Sequence, residues 1–309
     1  MGRFDALATQ PARGLQHILK WKLEQLFRSR ARARAADVPA PVRDNDGAAL
    51  HAPEPHLTWI GHASFVVRLG GLLVATDPIW SKRAGGFVRR LIAPGVPIER
   101  LPPVDLVTVS HDHFDHLDVP TLRRFGPRAR FVVPLGVGKV LRRAGLPAER
   151  VVELDWWQAH TEGAVSVTLV PSRHWSMRSL WGRNASLWGG FVVRGPEGAF
   201  YHSGDTAYFD GFAEIGARAG PIDWALLPIG AYDPRWFMQP QHMCPEEAGE
   251  AFLALRARTL VAMHWGTFKL TDEPLREPPE RIRRFFDGRD LPRERLWVLD
   301  VGETRALVP

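Results

Sequence analysis

The chain has 309 residues, 45% of them hydrophobic and 24% charged, an ordinary composition for a soluble globular protein. Its one cysteine, Cys244, excludes an internal disulfide and any cysteine-based zinc cluster, and its longest apolar runs, such as Ala225–Ile229, are too short to span a bilayer. The formal net charge is +6, concentrated in residues 1–50, which hold nine Lys/Arg against five Asp/Glu.

Residues 13–34 read as a basic amphipathic helix. Leu15, Ile18, Leu19, Leu23 and Leu26 share one side at helical spacing, with Arg13, Lys20, Arg28, Arg30, Arg32 and Arg34 around and beyond it. Such a helix suits a peripheral contact with a membrane surface, and it suits equally well packing on the domain or on a second subunit in a homodimer. Residues 35–55 have several Pro, Asp and Ala and no periodicity, so they read as a linker. The expected organisation is therefore helix and linker over 1–55 and a catalytic domain over 56–309. The N-terminal segment is charged and has no continuous apolar stretch, so no secretory signal is visible and a cytoplasmic protein is expected, peripheral at the inner face of the membrane if the helix binds there.

From His56 onward, short β-rich runs alternate with turn signals. Strands are predicted at Leu57–Ile60, Ser64–Leu69 and Leu72–Thr76, with Gly70–Gly71 as a hairpin turn. Further strands follow at Leu106–Ser110, Phe131–Pro134, Val151–Trp156, Val165–Pro171, Leu187–Val193, Ala199–His202, Ala225–Ile229, Leu260–Met263 and Leu296–Leu299. Helices are predicted at Val119–Phe125, Val137–Ala144, Phe209–Ala217, Pro245–Arg256 and Pro279–Phe286. This β-rich pattern, loosely repeated in two halves, suggests two packed sheets with helices outside.

The segment Ser110-His111-Asp112-His113-Phe114-Asp115-His116-Leu117-Asp118 carries the strongest chemical signal. It directly follows an apolar strand. Alternate residues leaving a strand point the same way, so His111 and His113 can reach one ion, and after a turn Asp115 and His116 can reach a second nearby. Imidazole nitrogen and carboxylate oxygen suit zinc, and also iron or manganese. Two ions need more ligands than this loop supplies. His174, Asp205 and His264 each stand just beyond the end of a predicted buried strand.

In this order the motifs resemble the metallo-β-lactamase superfamily over roughly residues 56–309. That resemblance implies an α+β four-layer αβ/βα sandwich, two mixed β-sheets flanked by helices, with a binuclear site at one edge. A more specific resemblance is to N-acyl phosphatidylethanolamine-hydrolysing phospholipase D and its bacterial relatives. Carrying that likeness are Thr58-Trp59-Ile60-Gly61-His62-Ala63-Ser64, Thr76-Asp77-Pro78-Ile79 and Leu227-Pro228-Ile229-Gly230-Ala231-Tyr232, continuing as Asp233-Pro234-Arg235-Trp236-Phe237-Met238. Gln241-His242, Pro245-Glu246-Glu247-Ala248 and His264-Trp265-Gly266-Thr267-Phe268 complete it.

The resemblance implies a zinc-dependent phosphodiesterase that releases phosphatidate and an N-acylethanolamine from a membrane phospholipid. It assigns His111, His113 and His174 to one zinc and Asp115, His116 and His264 to the other, with Asp205 bridging them. His202 departs from the pattern, standing where the eukaryotic enzymes usually have a small residue.

Metal binding lowers the pKa of a water from 15.7 to about 7, so a pair of bound ions would supply a hydroxide for attack on phosphorus and no side-chain nucleophile would be needed. Asp115 is the candidate for orienting that water or taking its proton. Gln241 and His242 are candidates for contacting the phosphate or protonating the leaving group. Asp77 is expected to hydrogen-bond a ligand histidine. His62 reads as either a supporting or a core histidine, and His51, His56 and His160 as surface or loop residues. Trp156, Trp157, Trp175, Trp181, Trp188, Trp236 and Trp265 lie near the proposed site loops, where they can wall an acyl groove or pack a core. Competing readings are a relative acting on a soluble phosphodiester, a lactone or a nucleic acid, and a non-catalytic metal-binding scaffold.

Overall fold

The computed structural model describes residues 2–8, 14–27, 37–179 and 182–308. Arg13, Arg28, Arg30, Arg32, Arg34, Trp181 and the C-terminal part of the predicted first helix lie outside the described residues, as do the side chains of Leu15 and Leu26.

The first helix, α1, runs Leu15–Phe27. Strands β1 (His56–Gly61), β2 (Ser64–Leu69) and β3 (Leu72–Thr76) then form an antiparallel meander. Gly70 and Gly71 turn between β2 and β3 with φ of 56° and 77°, a left-handed pair that two glycines adopt without steric cost. Strands β4 (Arg83–Ala84) and β5 (Val88–Arg89) stand apart as a small hairpin. Strands β6 (Leu106–Thr108), β7 (Arg130–Pro134) and β8 (Val151–Leu154) add in parallel to β3.

The second sheet mirrors this plan. Strands β9 (Ala159–Glu162), β10 (Val165–Val170), β11 (Gly190–Gly195) and β12 (Gly198–His202) are antiparallel. Strands β13 (Trp224–Pro228), β14 (Thr259–Met263) and β15 (Leu296–Trp297) then run parallel to β12. Finally β16 (Thr304–Ala306) returns to pair with β1, so that the described residues form two mixed seven-stranded sheets.

Side-chain alternation explains the stacking. On β2, Phe65, Val67 and Leu69 face the core between the sheets, where Val167, Phe191 and Val193 meet them, while Val66 faces a second cluster outside. That outer cluster is closed by α2 (Val119–Leu122) and α3 (Val137–Arg143) through Leu122, Val137 and Leu141. Helices α4 (Gly211–Ala219), α6 (Pro245–Ala254) and α7 (Glu277–Gly288) cover the second sheet with Phe212, Ile215, Phe252, Ile282 and Phe286. Each such buried side chain contributes roughly 1.5–3 kcal/mol from area removed from water. The result is the expected four-layer sandwich of two mixed sheets flanked by helices.

Several boundaries differ for identifiable reasons. Strand β6 ends at Thr108 rather than Ser110, because the Ser110 N–H donates to the Asp77 carboxylate at 2.6 Å and not to a neighbouring strand. Strand β11 begins at Gly190 rather than Leu187, because the N–H groups of Leu187 and Gly189 donate to Leu135 and Ser110 on the other half of the molecule. The β4–β5 hairpin, polar β9, short β16 and the short helix α5 (Arg235–Met238) carry too few periodic residues to be read beforehand.

Helix α1 docks through Trp21, while Ile18, Leu19 and Leu23 of its apolar stripe are exposed. Trp21 packs on Phe237 and Met238 of α5, and its indole N–H donates to Asp272 Oδ2 at 2.7 Å. The Trp236 indole in turn donates to Glu24 Oε2 at 3.0 Å. Among the described residues, no helix is long and apolar enough to cross a membrane.

Candidate metal centre

The C-terminal ends of β1, β3, β6, β10, β12 and β14 converge on one edge between the two sheets. They bring His62, Asp77, His111, His113, Asp115, His116, His174, Asp205 and His264 together there, all buried except His113 and Asp115, which are half-buried. His62, Asp77 and His264 are held at left-handed φ of 56°, 37° and 62°, a strained backbone that clusters at functional sites. At Gly204, a Cβ would lie 2.5 Å from that of Ser110, so only glycine lets the Asp205 loop approach the 110–116 segment this closely.

Two groups can be distinguished. In the first, His111 Nε2 lies 2.9 Å from His113 Nδ1, which is 3.3 Å from His174 Nε2. In the second, His116 Nε2 faces His264 Nε2 at 3.3 Å, with Asp115 Oδ2 at 3.7 and 3.8 Å from them. Asp205 stands between the groups: its Oδ2 is 3.2 Å from His116 Nε2 and 4.0 Å from His174 Nε2, and its Oδ1 is 3.0 Å from His264 Nε2.

The outward hydrogen bonds decide which nitrogen faces in. His174 Nδ1 reaches the Gln241 carbonyl at 3.0 Å, and a carbonyl only accepts. The Ser110 hydroxyl donates to Asp77 Oδ2 at 2.6 Å, so at 2.9 Å it accepts from His111 Nδ1. His116 Nδ1 donates to Asp77 Oδ2 at 2.7 Å. Each of these three rings has its N–H committed outward and turns Nε2 inward. Carboxylate or carbonyl braces of this kind orient imidazole toward metal ions.

Electrostatics separates the groups further. Burial holds His111 and His174 well below the ordinary imidazole range and His113 at about 4, so all three are neutral at pH 7. Burial also opposes charge on His116 and His264, but Asp205 and Asp115 outweigh it, raising His116 well above its usual value and His264 to about 9. Asp115 and Asp205 are themselves pulled well below the carboxylate range, burial being overcome by His116 and His264. Three neutral imidazoles beside a carboxylate-rich group that favours positive charge form a donor set that fits two divalent cations.

All seven sequence-predicted ligand candidates therefore lie in one cluster. His242 joins its rim, with Nδ1 3.9 Å from Asp205 Oδ2, and burial lowers it to about 4. Gln241 enters through its main-chain carbonyl, while its side-chain amide lies 3.8 Å from Met238 Sδ. Asp112 turns away from the neighbouring histidines to accept from Ser186 Oγ at 2.8 Å. His62 bonds Asp115 Oδ2 through Nε2 at 3.0 Å. His202 lies outside the candidate groups, bonding the Ala63 carbonyl at 2.8 Å and accepting from Gly204 N at 3.3 Å. His56 corrects an expectation: it is buried at the head of β1, bonding the Glu54 carbonyl, not a surface residue.

Of the tryptophans, Trp175 packs edge-on against His113, 4.6 Å between centroids. Trp188 and Trp265 belong to the core, and Trp236 serves α1. Ser110 and Thr267, which braces the His62 N–H at 2.8 Å, were not singled out beforehand. Their sequence signal is their place inside the quoted motifs, Ser110 beside His111 and Thr267 three residues after His264.

Residues 73–265 match the family described as the Beta-lactamase superfamily domain. The chain is 44% identical over 235 residues to an uncharacterized protein of Mycobacterium tuberculosis, covering 73% of this chain and 62% of that one, so it spans under two thirds of that relative's length. It is 38% identical over 263 residues to N-acyl-phosphatidylethanolamine-hydrolyzing phospholipase D 1 of Caenorhabditis elegans, covering 80% of this chain and 74% of that one. Among solved structures, a metallo hydrolase from the archaeon Ignicoccus hospitalis shares the fold, with a TM-score of 0.63 at 24% identity over 81% of this chain and 97% of that one.

Proposed function

The chain belongs to the metallo-β-lactamase superfamily, and from that premise we propose that it is a metal-dependent hydrolase, a binuclear, zinc-dependent phosphodiesterase acting on N-acyl phosphatidylethanolamine-type phospholipids. Its products would be phosphatidate and an N-acylethanolamine. The observation that carries this reading is the 38% identity to the nematode phospholipase over 80% of this chain.

In this reading His111, His113 and His174 hold one ion, Asp115, His116 and His264 the other, and Asp205 reaches both. Bound cations would supply a water acidic enough to attack phosphorus at neutral pH and offset the charge on the phosphoryl oxygens. The donor set of nitrogen and carboxylate oxygen suits zinc, and iron or manganese next.

The chain's own groups do the positioning. His62 holds Asp115 Oδ2 at 3.0 Å, leaving that carboxylate aimed to orient a water and receive its proton. His242 is neutral at pH 7 because burial lowers it to about 4, so it can offer a neutral donor to a phosphate or a leaving oxygen. Gln241 fixes the His174 tautomer through its carbonyl. Buried Cys244 is pushed up to about 11 by burial, so it is no thiolate nucleophile at neutral pH.

Substrate profiling of the zinc-loaded protein tests the reading. N-acyl phosphatidylethanolamine should give a higher kcat/KM than bis-p-nitrophenyl phosphate or a lactone. Turnover confined to the lactone would refute the phosphodiesterase assignment.

A further inference from the structure

Two elements outside the cluster flank the segments that enter it, and both leave apolar side chains in water. The first is the β4–β5 hairpin. Phe87 at its tip is 65% exposed and Leu91 just beyond it is 39% exposed. The hairpin is seated against the metal-binding loop itself: the Phe87 ring meets Phe114 edge-on at 5.7 Å, and Phe114 lies between His113 and Asp115. Ala84 and Val88 pack on Phe268, four residues beyond His264.

The second element is α1. Leu19 and Leu23 are 55% and 57% exposed and lie one helical turn apart. Trp21 and Gln25 tie the helix to Asp272, and Trp21 packs on Phe237, close before Gln241 and His242. One segment, 264–272, thus leaves the cluster at His264, packs on the hairpin through Phe268 and bonds α1 through Asp272.

Charge selects the partner. Residues 81–93 contain Lys82, Arg83, Arg89 and Arg90 and no carboxylate, and the first three are exposed. On α1, Lys20 and Lys22 are exposed beside the apolar stripe. Exposed apolar side chains among lysines and arginines fit an interface whose headgroups are anionic and whose interior is hydrocarbon. A second copy of the chain would have to bring acidic groups to an equally basic face.

We propose that the β4–β5 hairpin and the exposed stripe of α1 together form a docking surface for an anionic lipid bilayer, which seats the mouth of the candidate centre on the membrane. The inference rests on the phospholipid reading for its purpose, but the docking chemistry stands apart from catalysis.

The test is co-sedimentation of the full metal-loaded chain with phosphatidylcholine vesicles, with and without phosphatidylglycerol. Binding should require phosphatidylglycerol. Phe87→Ser with Leu91→Ser, and separately Leu19→Ser with Leu23→Ser, should each weaken it by about tenfold. Both variants should keep the unfolding midpoint, and the variant carrying Leu19→Ser with Leu23→Ser should keep the turnover of bis-p-nitrophenyl phosphate, a soluble substrate. Vesicle binding equal to the parent in both variants would overturn the proposal, as would no binding by the parent. So would a dimer, seen by sedimentation velocity, that these substitutions dissociate while vesicle binding persists. Vesicle binding without hydrolysis of N-acyl phosphatidylethanolamine would instead remove the phospholipase reading and leave the docking surface standing.

Discussion

The main-chain N–H of His264 donates to the His62 carbonyl at 3.0 Å, and the two imidazole rings lie 3.9 Å apart. This bond joins the end of β1 in one sheet to the end of β14 in the other. Left-handed φ at both residues is unfavourable for side chains with a Cβ, so the contact persists because its surroundings over-determine it. The Trp59 indole donates to the same His62 carbonyl at 3.0 Å, and the Thr267 hydroxyl accepts from the His62 N–H.

Loss of the His62 ring should therefore act on Asp115 more than on the fold. His62→Ala should lower kcat by about 10–100-fold, the usual cost of removing a partner that orients a ligand. His62→Gln, which retains a side-chain donor, should recover part of it. Steady-state kinetics on bis-p-nitrophenyl phosphate checks this; unchanged kcat in the alanine variant would assign His62 a packing role only.

Asp77 accepts from Ser110 N and Oγ and from His116 Nδ1, all within 2.7 Å and fully buried. Asp77→Ala strands three donors, so it should cost about 3 kcal/mol or more of stability. It should also weaken metal affinity by about 10–100-fold. Denaturant unfolding and a competitive chelator titration measure the two effects. Wild-type values in both would contradict the bracing role.

His113→Ala and Asp205→Ala should abolish turnover while circular dichroism stays native, because each removes a central donor and neither supports the core. Asp205 reaches both groups, so its loss should reduce bound metal more than loss of His113 does. Metal analysis of the purified variants decides; full turnover by either without metal would refute the mechanism.

Phe191 is fully buried in the core between the sheets. Phe191→Ala should destabilise the fold by about 3–5 kcal/mol. Thermal unfolding reads this directly, and a cost under about 1 kcal/mol would mean the sheets repack around the gap.

Much of this was legible in the sequence because the informative residues sit where strands end. Buried runs such as Leu72–Thr76 and Leu260–Met263 mark strands by their hydrophobicity, and the polar residue after each, Asp77 and His264, marks the edge where the chain leaves the core. Hence His174, Asp205 and His264 could be named before their distances were known. What stayed hidden depends on three-dimensional neighbours. Strand β6 stops early because a carboxylate 33 residues away takes the Ser110 N–H. Asp112 looked like one more polar residue of the motif, but it turns toward Ser186, 74 residues on. The exposed Phe87 carries no periodicity at all, and a leucine stripe cannot reveal that Trp21 would be the residue to dock α1.

Metal titration of apoprotein, followed by turnover of N-acyl phosphatidylethanolamine, tests the binuclear account most directly. Activity should rise with added zinc and level off near two ions per chain, as expected for a two-metal site. Full activity in protein shown to contain no metal would contradict it.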